Sequence, residues 1–256
     1  TKKNAVVIGG GLLGLEAAYG LKQRGMNVTV LHLMDRIMER QLDGRASRML
    51  RQSIEEKGIN IITEANTEAL IGKDGHVNQV RLKDGTVLDA DLVVFAVGIR
   101  PNIALAQSAG LRCNRGILVN DTMQTFDPSI YAVGECIEHR NQTFGLVEPL
   151  WGQAFICATH LAEHGSLTFK SPTVPTQLKV SGVDVFSAGN FEPKEDYEDI
   201  ILNDEKRQIY KRIIIQKDKV IGAVLFGDTE DGMWYAELIA DQTPISTFRN
   251  KLLFGK

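Results

Sequence analysis

Asn4-Ala5-Val6-Val7-Ile8-Gly9-Gly10-Gly11-Leu12-Leu13-Gly14-Leu15-Glu16 is the stretch on which the fold turns. Its first five residues are a short, largely β-branched run that ends in glycine and reads as a buried strand. Residues 12–24 contain no proline and carry Ala17, Ala18, Leu21 and Lys22, all good helix formers. Leu15, Ala18 and Leu21 keep near-helical spacing, and Gly25 is a natural stop. Between strand and helix lies a G-x-G-x-x-G turn formed by Gly9, Gly10, Gly11, Leu12, Leu13 and Gly14. Gly9 and Gly11 allow a tight turn and a close approach of backbone to a diphosphate, while Gly14 lets the helix pack on the strand. The helix N-terminus offers free N–H groups and the positive end of its dipole. A lone motif of this kind is a weak signal, but a strand before it and a helix after it are the context it requires.

Working outward, residues 27–33 alternate into a second strand, and residues 43–57 read as a second helix with Asp43 as N-cap and Gly58 as stop. Residues 59–62 are a third strand. The period then changes. Residues 69–72, 76–82 and 86–88 are short and strand-like, with Asp74-Gly75 and Asp84-Gly85 as turn signals, so a small antiparallel meander is expected. Residues 91–97 return as an apolar strand. The expected fold class is α/β: a Rossmann-like NAD(P)-binding domain with a β-meander at 1–100, a middle part at 101–165, and a C-terminal α+β domain at 166–256. The middle part holds expected strands at 117–119 and 130–133 and a helix at 150–163. The last part holds strands at 177–180, 183–188, 207–215 and 220–226, a turn at Lys217-Asp218, and helices near 232–240 and 246–253.

An acid for the adenosine ribose usually stands about 20 residues beyond the glycines, at the end of the second strand. That neighbourhood is Val30-Leu31-His32-Leu33-Met34-Asp35-Arg36, and the expected position falls on His32. A carboxylate there would repel a 2′-phosphate, whereas His32 with Arg36 nearby could pair with one, which tilts the reading toward acceptance of NADPH. The alternative is that Arg36 and Arg40 belong to a solvated loop beside Asp35 and Glu39.

Composition excludes several classes. The formal net charge of -3 gives no global pull toward nucleic acid or a membrane surface. The apolar run at 92–97 is far shorter than the ~20 residues of a spanning helix, and Thr1-Lys2-Lys3 shows no signal-peptide pattern. Cys113, Cys136 and Cys157 are odd in number and lack metal-ligand spacing, so no metal site is assigned and free thiols in a reducing compartment are expected.

With Glu16 two residues beyond Gly14, the turn resembles the NAD(P) fingerprint of the FAD-dependent pyridine nucleotide–disulfide oxidoreductase superfamily. The resemblance implies FAD and NAD(P)H as cofactors, with Glu16 near the nicotinamide where it stacks on the flavin. Phe95-Ala96-Val97-Gly98-Ile99-Arg100-Pro101-Asn102 looks like the crossing back to the flavin domain, where Gly98 lets backbone approach the cofactor. Residues 101–165 are then the C-terminal part of the FAD-binding domain. Ile130-Tyr131-Ala132-Val133-Gly134-Glu135 looks like the second FAD motif, with Gly134 and the ribityl-binding acid. The superfamily usually has Asp where this chain has Glu135, which changes the reach of that contact.

A narrower similarity spans essentially the whole chain. It includes residues 38–43, 134–140 and 182–189, the run Gln142-Thr143-Phe144-Gly145-Leu146-Val147-Glu148-Pro149-Leu150-Trp151, Leu225-Phe226-Gly227-Asp228-Thr229, and Leu252-Leu253-Phe254-Gly255. These segments are similar to the large subunits of assimilatory NAD(P)H nitrite reductases. In that family a helix starting near Pro149-Leu150 aims its N-terminus at the flavin pyrimidine carbonyl, and its dipole stabilises the reduced, anionic flavin. The resemblance implies a cytoplasmic oxidoreductase passing electrons from NAD(P)H through FAD to an acceptor domain or subunit, with no nucleic-acid or membrane partner and with a homodimer left open. It also implies that the segment gripping the ADP end of the flavin precedes Thr1 and that iron–sulfur and sirohaem parts follow Lys256, so this stretch alone is expected to be inactive. No catalytic side chain is assigned, because His160, Glu163 and His164 read as surface residues and a helix cap. Reduction of another carrier (through a nitrate reductase electron-transfer subunit, or a ferredoxin or rubredoxin reductase) and a non-catalytic NAD(P)-binding module stay open as alternatives.

Overall fold

The structure, a computed structural model, describes residues 3–163, 165, 167–171, 175–192 and 196–255. It divides into two compact units, Thr1–Val97 with Pro175–Lys256, and Gly98–Val174. No helix among the described residues is long and apolar enough to cross a membrane.

In the first unit β1 (Asn4–Ile8), α1 (Leu12–Gln23), β2 (Asn27–Leu31), α2 (Gly44–Glu56) and β3 (Ile59–Ile62) alternate as the sequence predicts. β4 (Thr67–Lys73), β5 (His76–Leu82) and β6 (Val87–Asp89) form the antiparallel meander, and β7 (Leu92–Phe95) returns to lie parallel to β1. The main sheet has the order β3-β2-β1-β7. Central β1 is covered on both faces, so it is apolar without interruption. Its alternation sorts its neighbours. Ala5 and Val7 enter a core with Leu15 and Ala18 of α1 and Leu50 and Ile54 of α2, whereas Val6 and Ile8 pack with Val80 and Leu82 of the meander. Each fully buried leucine or isoleucine contributes about 1.5–3 kcal/mol. α2 begins where Asp43 caps it, with the Ala46 N–H donating to Asp43 Oδ1 at 2.9 Å.

The second unit contains α3 (Ala104–Ser108), β8 (Ile117–Val119), β9 (Ile137–His139), β10 (Gln142–Thr143) and α4 (Val147–Leu161). The strand expected at 130–133 does not form. Among the described residues their backbone-to-backbone hydrogen bonds reach only Met123, Thr125 and Asp127, with a single bridge between Gln124 and Tyr131, and Gly134 at φ 102° ends the extended run. The strand appears a few residues later, at Ile137–His139, where β8 offers a parallel partner. α4 starts at Val147, ahead of Pro149 and Leu150. Proline is tolerated in this first turn because its missing N–H would have no helical partner.

The rest of the first unit is an antiparallel sheet of β11 (Thr176–Val180), β12 (Val183–Gly189), β13 (Glu198–Asp204), β14 (Ile209–Gln216) and β15 (Lys219–Phe226), followed by α5 (Gly232–Asp241). The order is β11-β12-β15-β14-β13. Edge strand β13 escapes the sequence reading because its run Ile200-Ile201-Leu202 is short, flanked by acids and half-exposed. The helix expected at 246–253 is a 3-10 turn, Arg249–Phe254. One sheet face packs Phe186, Ile213 and Ala223 against Tyr235, Leu238 and Ile239 of α5. Val180, Val185, Tyr210, Val224 and Phe226 on the other face join the core built on α1 and α2.

Candidate functional site

Four glycines shape the turn from β1 into α1, and they do so for different reasons. Gly9 sits at φ 122°, and a Cβ there would lie 2.1 Å from the Ala96 carbonyl oxygen. A Cβ on Gly14 would lie 1.9 Å from the Gly9 carbonyl oxygen, so α1 can settle on the strand only with glycine there. A Cβ on Gly10 would meet His32 Cγ at 2.8 Å and Ile37 Cγ2 at 2.9 Å. Gly11 differs: no atom of the described residues lies within 4 Å of where its Cβ would be. Gly11 is also the N-cap of α1, in extended backbone and with no side-chain cap. The space over Gly11 is therefore open, and the first-turn N–H groups of α1 receive no side-chain acceptor among the described residues. That geometry is of the kind that could cradle an anion. Leu12 is half-buried and Leu13 is exposed at the mouth of the turn.

The structure brings His32 directly against this turn. His32 is 9% exposed, and the Gly10 N–H donates to its Nδ1 at 3.0 Å. Its Nε2 lies 3.0 Å from Glu39 Oε2. Arg36 is drawn the other way, its Nη2 donating to Glu192 Oε1 at 2.5 Å. Glu16 is exposed on α1, and its Oε1 accepts the Ser181 N–H at 2.7 Å. Asp43, which the sequence shows only as a cap, is also a tie point. Its Oδ2 accepts from Tyr210 Oη at 2.7 Å and from Arg212 Nη1 at 3.2 Å. Burial and the adjacent Asp43 push the Tyr210 phenol above its ordinary range.

The second unit gathers a different set. Gly98 and Gly134 have φ 87° and 102°, and no atom of the described residues lies within 4 Å of a Cβ at either. Glu135 is exposed beside Gly134. Gln153, buried in α4 and unsignalled by the sequence, accepts the Gly134 N–H at 2.8 Å on Oε1, while its Nε2 is buried with no partner among the described residues. The N-terminus of α4 carries no side-chain cap. Pro149 there lines a cleft of about 440 Å³ with Arg115, Asn141, Thr143, Phe144 and Leu146. Leu150 is half-buried behind it.

Two carboxylates of this unit are held by hydrogen bonds and ion pairs within it. Burial opposes ionisation of Glu138, yet hydrogen bonds from Asn114 and from the Gly116 and Arg115 N–H groups leave its pKa below the ordinary value. Arg140, then His139, hold Asp121 down at about 2. The cysteines are free, and burial pushes the Cys113 and Cys157 thiols up. His160 receives or gives a hydrogen bond with Tyr131 Oη at 2.9 Å, and His164 lies outside the described residues.

Residues 1–154 match the family model described as pyridine nucleotide-disulphide oxidoreductase, and residues 175–243 match the rubredoxin NAD+ reductase C-terminal domain. The chain is 50% identical over 244 residues to an NAD(P)H nitrite reductase of Bacillus subtilis (strain 168), covering 95% of this chain and 30% of that protein. It is 42% identical over 251 residues to the assimilatory nitrate reductase electron transfer subunit of the same organism, covering 98% of this chain and 32% of that one. The solved structure of a NAD-dependent persulfide reductase from A. fulgidus matches with a TM-score of 0.86 at 29% identity, over 97% of this chain and 50% of that one. The chain spans about a third of the length of these curated relatives.

Proposed function

The chain belongs to the pyridine nucleotide-disulphide oxidoreductase family, and from that premise we propose that it is the NAD(P)H-binding, FAD-dependent electron-transfer module of an assimilatory nitrite reductase. The observation that carries this reading is the open space over Gly11, framed by glycines that packing demands at 9, 10 and 14. Gly9 to Gly14 and the uncapped start of α1 hold the diphosphate of the dinucleotide. Glu16 belongs to its nicotinamide end, and His32 and Arg36 belong to its adenosine end.

Residues of the second unit fit a flavin. Gly98 and Gly134 leave room for close backbone approach, and the exposed Glu135 is an acceptor for a ribityl hydroxyl. The unpartnered Nε2 of Gln153 is a buried donor beside Gly134. The first turn of α4, with Pro149 and Leu150, presents N–H groups that favour negative charge. The chemistry the flavin supplies when bound is to accept a hydride from the reduced nicotinamide and to release the electrons onward. The acceptor is a nitrite-reducing centre elsewhere in the parent protein, with iron–sulfur and sirohaem groups, in the cytoplasm.

A second reading keeps the reductase and changes the acceptor to a small electron carrier. It is favoured by the match of residues 175–243 to the rubredoxin reductase C-terminal domain and by the similarity to a nitrate reductase electron transfer subunit. The test is anaerobic mixing of the full-length protein with NADH or NADPH. Bleaching of the flavin absorbance followed by conversion of nitrite to ammonia is the expected result. Bleaching without nitrite consumption, but with reduction of an added rubredoxin-type carrier, selects the second reading. A flavin that neither nucleotide bleaches contradicts both.

A further inference from the structure

We propose that Glu39, positioned by His32, reads the adenosine ribose and makes this site prefer NAD(H) to NADP(H). This rests on the dinucleotide reading of the turn. It reverses the expectation drawn from the identity of residue 32 alone.

A carboxylate at the end of the second strand accepts the ribose hydroxyls and repels a 2′-phosphate. β2 ends at Leu31, and His32 follows with no negative charge to offer. The ring is nevertheless fully committed. The Gly10 amide can only donate, so His32 Nδ1 accepts and carries no proton. The proton is on Nε2, which donates to Glu39 Oε2 at 3.0 Å. The imidazole thus acts as a rigid spacer with one nitrogen on the phosphate turn and the other on a carboxylate.

The backbone is arranged to the same end. Buried Met38 has φ 52°, and its N–H donates to the Gly10 carbonyl oxygen at 3.0 Å. A non-glycine residue holds that conformation where its surroundings over-determine it. Gly10 is gripped at both its N–H and its carbonyl, and the chain is turned so that residue 39 comes back to His32. The Glu39 side chain is 26% exposed, and its Oε1 has no hydrogen-bond partner among the described residues. A carboxylate oxygen is left free beside the turn.

The charges around it agree. Arg36, the cation a 2′-phosphate would seek, is engaged by Glu192 at 2.5 Å. Exposed Asp35 adds a second negative charge, and exposed Arg40 is the opposing cation. A dianionic phosphate placed here would face the carboxylates of Glu39 and Asp35, with Arg36 already paired to Glu192 and Arg40 as the other arginine of the stretch.

The experiment is calorimetric titration of the full-length protein with NAD+ and with NADP+, which reads affinity without turnover. The wild-type protein should favour NAD+ by about tenfold or more, the scale of one charge-assisted hydrogen bond. Glu39→Gln keeps an acceptor for His32 Nε2–H but removes the charge, and it should shrink that ratio by about tenfold. His32→Ala should shift the ratio in the same direction, and the double variant should go no further than Glu39→Gln alone. A purely structural His32 would weaken both nucleotides alike and leave the ratio where it was. A wild-type preference for NADP+, or a Glu39→Gln ratio equal to wild type, overturns the proposal. Additive shifts in the double variant overturn the positioning role. If the wild-type protein binds neither nucleotide, the dinucleotide reading itself fails, and this proposal fails with it.

Discussion

Residues 9–14 make their turn almost without side chains, whereas residues 32–43, which lie against it, keep their shape through side chains that reach far along the sequence. In the turn, what matters is which Cβ atoms are missing: at 9, 10 and 14 the space is already filled, and at 11 it is empty. In the covering stretch, what matters is pairing. His32 bridges Gly10 and Glu39, Arg36 holds Glu192, and Asp43 ties Tyr210 and Arg212 to the start of α2. A backbone-built cradle serves any diphosphate. A side-chain-built margin can distinguish one nucleotide from another, which is why selectivity is placed there and general binding in the turn.

Two stability measurements would break or sharpen this contrast. The larger effect is expected at Gly9. Gly9→Val demands both a left-handed valine and a Cβ 2.1 Å from the Ala96 oxygen, so urea unfolding should show a loss of about 4 kcal/mol or more, or no folded protein at all. A Gly9→Val variant of near wild-type stability would mean the turn is not held as described. The next effect is at Asp43. Asp43→Ala removes a helix cap and strands Tyr210 Oη and part of Arg212, which keeps Asp199 at 2.9 Å. The expected cost is about 3 kcal/mol. A cost below ~1 kcal/mol would show that the long-range ties are ornamental and that the core alone seats the C-terminal sheet.

What the sequence made legible follows the same division. The β1–turn–α1 unit, the meander and the Asp43 cap are each encoded within one short continuous stretch, by period, glycine and capping chemistry. The partners of Asp43 and Arg36 are not, because Tyr210 and Glu192 stand 167 and 156 residues away. For the same reason His32 reads from sequence as a side chain that, with Arg36 nearby, could pair with a 2′-phosphate, while in the fold both of its nitrogens are spent. The missing strand at 130–133 has a related cause: its residues have the right composition but only a three-residue partner. Edge strand β13 shows the converse, a strand secured by pairing with β14 despite weak alternation of its own. In the second unit the glycines at 98 and 134 and Glu135 were visible as motif residues. Gln153, which supports Gly134 from inside α4, carries no local mark.

The smallest structural change probes the central claim. Gly11→Val places a side chain where no atom of the described residues lies within 4 Å, on backbone that valine readily adopts. Thermal or urea unfolding of Gly11→Val should therefore stay within about 1 kcal/mol of wild type. Calorimetric binding of NADH to the same protein should weaken by about a hundredfold or more, because the valine would fill the space proposed for the diphosphate. Wild-type NADH affinity in a folded Gly11→Val protein would contradict the assignment of this turn as the dinucleotide site.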